Sequence, residues 1–71
     1  MATVRELLTE ADFREAEEKR LPIRVFRDDH LIDSLTYIIR FTESTVITQS
    51  DVSDVTYHSR GECQFFEMRK S

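Results

Sequence analysis

Two stretches of the chain gather side chains that could do chemistry. The first is "SDVSDVTYH", residues 50–58, in which a Ser-Asp-Val triplet occurs twice and a histidine follows. Asp51, Asp54 and His58 offer oxygen and nitrogen ligands, and Asp28, Asp29 and His30 in "RDDH" could add to them. Three or four such ligands can hold a transition metal. Their spacing matches no ligand pattern with a known mechanism, so no bound metal is expected. The second is Cys63, five residues after His58. A cysteine thiol becomes a nucleophile beside a histidine base, and a hairpin could bring the two together. An oxyanion or a phosphate would need a loop of backbone donors, usually glycine-rich. Gly61 is the only glycine, and 71 residues leave little room for a cleft. No catalytic residue and no cofactor is expected, and the chain reads as non-enzymatic.

The elements that must position these groups follow from periodicity. In the first twenty residues, Thr3 and Glu6 fit a capping box. Val4, Leu7, Leu8 and Ala11 recur at helical spacing. Phe13 would lie nearly opposite Val4 on that helix, and Thr9 with Asp12 supplies a second N-cap signal. The sequence therefore predicts an N-terminal helix that is kinked or broken near Thr9, or else one helix with Phe13 exposed. Pro22 ends it. Strand-like alternation follows in residues 22–26, 31–41, 45–49, 55–58 and 63–70, separated by polar, turn-prone segments. Gly61 is expected at positive φ in the last hairpin. The repeated triplet reads as a tight turn or bulge whose backbone is bonded by Ser50 or Asp51. The fold class is α+β in one domain, residues 1–71. A helix precedes a four- or five-stranded antiparallel meander, either an open curled sheet or a small SH3/Sm-like barrel.

Composition narrows the function. The formal charge is −4, and residues 43–62 set Arg60 against Glu43, Asp51, Asp54 and Glu62. Nucleic-acid binding starts from a positive patch that releases counterions, and no such patch is present, so nucleic acid is an unlikely partner. One cysteine excludes an internal disulfide and a multi-cysteine zinc site. A lone thiol suits a reducing compartment. The first twenty residues lack the apolar core of a signal peptide. No apolar run approaches the roughly 20 residues of a membrane helix. A cytoplasmic protein without membrane contact is expected.

The order of an N-terminal helix, "LPIRVF", a long second strand ending in "RFTES" and then "VTYH" resembles in layout the bacterial Sm-like RNA-binding proteins of the Hfq type. The resemblance covers residues 3–58 and implies RNA contact by Tyr57 and His58. The chain departs from that pattern in three ways. No lysine separates Tyr57 from His58, no glycine lies in the first hairpin or second strand, and the strand-like "CQFFEMRK" follows.

Five phenylalanines and two tyrosines are a large apolar load for a chain of this length. Neighbours on a strand face opposite ways, so Phe65 and Phe66 cannot enter one core. Phe13, Phe65 and Phe66 are the expected interface anchors. The expected function is that of a small accessory protein, of bacterial or phage type, that binds a protein partner or itself as a homodimer. The alternative is Sm-like RNA binding.

Overall fold

The computed structural model describes residues 2–70. The elements run β1 (Ala2–Glu6), α1 (Glu10–Lys19), β2 (Ile23–Arg27), β3 (His30–Phe41), β4 (Thr45–Asp51), β5 (Asp54–Ser59) and β6 (Cys63–Lys70). The strands form one antiparallel sheet in the order β1-β6-β2-β3-β4-β5. The chain is therefore α+β, with six strands among the described residues where four or five were expected. The sheet does not close, and β1 and β5 are its edges.

The extra strand comes from the segment expected to be helical. Residues 2–6 pair with β6, in register from Ala2↔Lys70 to Glu6↔Phe66. The helix begins instead at the second cap signal. Thr9 Oγ1 accepts from Asp12 N at 3.2 Å. Asp12 Oδ2 accepts from Leu8 N at 3.0 Å and Thr9 N at 3.1 Å. These backbone donors, that of Leu8 first, hold the Asp12 carboxyl below its ordinary range. Phased from Thr9, the helix turns Phe13 and Ala16 to the core. It stops at Arg20, whose φ of 50° is left-handed and whose N–H bonds the Ala16 and Glu17 carbonyls. Helical spacing in 4–11 was thus a coincidence of pattern, and pairing with β6 satisfies that backbone.

The first hairpin turns through Asp28 and Asp29, at φ 52° and 64°. Two left-handed residues suit the right-handed twist of a two-residue hairpin, and aspartate tolerates them better than most side chains. Gly61, expected at positive φ, is not there, since no described glycine has one. β3 pairs with β2 along its first half and with β4 along its second. Register shifts at Ile23/Val25, Val25/Phe26 and Ile38/Arg40 bend it. The sheet curls so that its inner face meets α1.

The core comprises Leu7, Phe13, Ala16, Ile23, Val25, Ile38, Val46 and Phe65. Phe13 meets Phe65 edge-on at 5.5 Å and Phe41 at 5.8 Å. Burying one such ring contributes about 2–3 kcal/mol. Alternation splits the adjacent phenylalanines as expected: Phe65 points inward, while Phe66 meets Phe26 edge-on at 5.5 Å on the outer face. Beside Phe65 on the inner face, Glu67 has no exposed surface. Arg5 Nη2 donates to Glu67 Oε1 at 2.7 Å and to Glu15 Oε1 at 2.9 Å. One guanidinium thereby ties β1 to α1 and β6.

Candidate interaction surface

The structure disperses the residues that the sequence singled out. Asp51 and Asp54 pair across the two-residue turn Val52-Ser53. Asp51 Oδ1 accepts from Val52 N at 2.7 Å, and Gln49 Nε2 donates to Val52 O at 3.0 Å. The repeated triplet is therefore turn chemistry. His58, by contrast, is buried, 5% exposed, with Nε2 3.0 Å from Thr48 Oγ1. Its ring meets Phe65 edge-on at 5.9 Å. Burial pushes its pKa down from the ordinary 6.5, and the Asp33 carboxylate opposes that shift. No three His, Cys, Asp or Glu side chains cluster as metal ligands among the described residues.

Cys63 is a half-buried free thiol packed against the core. Burial raises its pKa, with the Glu62 and Asp28 carboxylates adding to the shift and Arg27 and a backbone bond to Ser59 opposing it. Such a thiol is a poor nucleophile at neutral pH.

Two expected roles need correction. Phe13 and Phe65, expected as interface anchors, are 3% and 2% exposed and belong to the core. His58, paired with Tyr57 in the implied RNA contact, is buried, whereas Tyr57 is 71% exposed. Strand alternation gives the reason for Phe65 and His58, since neighbours cannot share a face, and helix phase from Thr9 gives it for Phe13. Of the three expected anchors, Phe66 alone lies on the outer face. With Phe26 it floors a shallow depression of about 410 Å³ rimmed by Glu6, Arg24, Asp29 and Gln64.

The edge strand β5 was anticipated only as an RNA contact through Tyr57 and His58, not as a strand-accepting edge. Among the described residues it has one strand neighbour, β4. Their register is constant from Thr45↔Ser59 to Gln49↔Val55. The bond from Arg60 N to Ser44 O, 2.8 Å long, sets the phase of that ladder. In an antiparallel pair, bonded and non-bonded residues alternate. His58 and Thr56 therefore bond to β4, and Val55, Tyr57 and Ser59 turn their N–H and C=O groups to the open side. The side chains of Val55 and Tyr57 are exposed on the outer face, where Tyr57 pairs with the half-buried Ile47.

Edge strands are normally blunted by charges, proline, bulges or a covering segment. β1, the other edge, carries Arg5 and Glu6 side by side. Residues 55–59 of β5 are Val, Thr, Tyr, His and Ser, with no proline, no glycine and no fixed charge. Its register with β4 shifts only beyond Gln49, toward the turn. Phe65 and Phe66, the anchors expected on the last strand, do not lie on an open edge, because β6 has a strand on each side. The clue lay in the charge-free run 55–59, which is legible only once β6 is known to pair with β2 rather than with β5.

No helix among the described residues is long and apolar enough to cross a membrane. Comparison with known protein families, curated proteins and solved structures gave no match.

Proposed function

We propose that the chain is a non-enzymatic protein-interaction module that takes a partner's strand along β5. The observation that carries this reading is the unprotected stretch 55–59, whose outward backbone groups lie beside the 71%-exposed Tyr57. Strand addition draws affinity from main-chain hydrogen bonds and selectivity from alternate side chains. The strand order after the helix, β6-β2-β3-β4-β5, supports reading the curled sheet as a small SH3/Sm-like barrel left open beside β5. The half-buried thiol of Cys63 suits a reducing, cytoplasmic setting. RNA binding is the weaker reading, because it loses His58 to the core and would set phosphates against the acidic segment 43–62.

The test compares affinity capture from native lysate by the wild type and by Tyr57→Lys, with circular dichroism to confirm that both are folded. A protein retained by the wild type and lost by Tyr57→Lys is the expected result. The proposal fails if the variant retains the same proteins, or if the wild type binds single-stranded RNA at physiological salt and Tyr57→Ala abolishes that binding.

A further inference from the structure

We infer that the strand accepted by β5 is the β5 of a second copy of this chain, the two joining antiparallel about a two-fold axis through Tyr57. This rests on β5 being an open, strand-accepting edge, and it names the partner.

The argument begins with the ends of the strand. Asp54 opens β5 with a negative charge, Arg60, whose guanidinium donates to Thr42 O at 2.8 Å and lies over the Phe13 ring at 4.5 Å, follows its last residue with a positive one, and nothing between them carries a fixed charge. Such a strand is its own electrostatic complement when antiparallel, because each acidic end then lies beside a basic end. A parallel arrangement would set like charges together, which is destabilising.

Hydrogen-bond phase then restricts the register. The outward N–H and C=O groups belong to Val55, Tyr57 and Ser59. Centring the axis on Tyr57 pairs it with its own counterpart, and pairs Val55 with Ser59 in both directions. Each of these pairs exchanges two backbone bonds. In the same register Asp54 lies opposite Arg60 of the second copy. A one-residue slip would turn the bonding groups away from each other. On the outer face, Ile47 and Tyr57 of one copy continue into Tyr57 and Ile47 of the other, so that Tyr57 gains an aromatic cross-strand neighbour. The other edge, β1, is a poorer acceptor because Arg5 and Glu6 blunt it. A β5-to-β5 union also closes on itself, whereas β5-to-β1 joining would propagate to rings or fibres.

The experiment is sedimentation equilibrium of the full chain over a wide dilution series. A reversible species at twice 8.4 kDa is expected. Tyr57→Pro removes an N–H that points away from β4, a position where an edge strand accepts proline. It should remain folded by circular dichroism and weaken dimerisation at least about tenfold. Asp54→Lys, which sets a cation opposite Arg60, should weaken it in the same direction without touching the ladder to β4.

Register is read by oxidation on a Cys63→Ser background. Tyr57→Cys should form a disulfide-linked dimer, since opposed Cα atoms in a bonded pair lie about 5.5 Å apart. Thr56→Cys, opposite His58 of the second copy, should not. A monomer at every concentration overturns the self-pairing, while loss of a captured protein in Tyr57→Lys would still uphold β5 as an acceptor. A dimer indifferent to Tyr57→Pro and Asp54→Lys, or a mass beyond the dimer, overturns the inference as well.

Discussion

Thr48 Oγ1 and His58 Nε2 meet 3.0 Å apart across the β4–β5 ladder, both side chains buried on the inner face. The imidazole sits in a place that disfavours its charged form, which gives stability a defined dependence on pH. A base whose folded pKa lies below its unfolded value takes up a proton on unfolding. Its contribution is therefore level above the ordinary 6.5, declines as pH falls through that value, and levels again below the folded pKa. The thermal midpoint of the wild type should be flat in mildly alkaline buffer and drop as the pH falls below the ordinary 6.5. His58→Gln, which retains a partner for Thr48, should flatten that drop. The same slope in the variant would assign it elsewhere. The carboxyls of Asp12 and Glu15, held low by hydrogen bonds and by cations, release their share only at more acidic pH.

Thr9 rather than Thr3 caps the helix, and the difference is measurable. Thr9→Ala should cost about 1 kcal/mol and lower the melting temperature by about 4–8 °C. Thr9→Ser, which keeps the acceptor oxygen, should recover most of the loss. An unchanged melting temperature in Thr9→Ala would contradict the bond from Asp12 N to Thr9 Oγ1.

Adjacent phenylalanines should respond very differently to truncation. Phe65→Ala opens a cavity beside Phe13 and His58 and should cost about 3–5 kcal/mol, enough to unfold much of a domain this small. Phe66→Ala loses the outer contact with Phe26 and should cost about 1–2 kcal/mol. Urea midpoints decide the matter, and equal losses would mean that the outer pair is as enclosed as the core.

Gly61 marks a turn without needing a glycine. It has no positive φ, and a methyl group placed there would meet nothing within 4 Å. Gly61→Ala should therefore stabilise by about 0.4–1 kcal/mol, by narrowing the unfolded ensemble. Differential scanning calorimetry would show the gain, and a lowered midpoint would show that the backbone at 61 does need glycine.

Local signals in the sequence were reliable where one element decided the outcome. The Thr9–Asp12 cap, the aspartate turn at 28–29, the polar turn at 51–54 and the opposed faces of Phe65 and Phe66 all follow from nearest-neighbour chemistry. The failures came from partners distant in the chain. Residues 2–6 have helical spacing, yet they become a strand because β6 offers a ladder sixty or more residues away. β6 pairs with β2 instead of following β5 in a meander, which leaves β5 as an edge, and β1 covers the far side of β6, so the candidate site moves from Phe65 and Phe66 to 55–59. His58 appeared available beside Tyr57, but burial follows face, and the inner face of β5 was identifiable only after Thr48 and Phe65 were seen to meet it.

The place of β6 also affects how the chain is born. A ribosome delivers β1, α1 and the β2–β5 meander first, and β6 only afterwards, although β6 stands between β1 and β2. Until it arrives, β1 has no ladder to join, Arg5 lacks Glu67, and Phe13 lacks the ring of Phe65. The nascent meander exposes its β2 side and the core residues that Phe65 covers, a state that invites aggregation or chaperone binding. A chain halted before Cys63 loses an interior strand, not a dispensable margin. Translation must run through β6 before β1 can join the sheet and before Phe13 and Arg5 can meet Phe65 and Glu67.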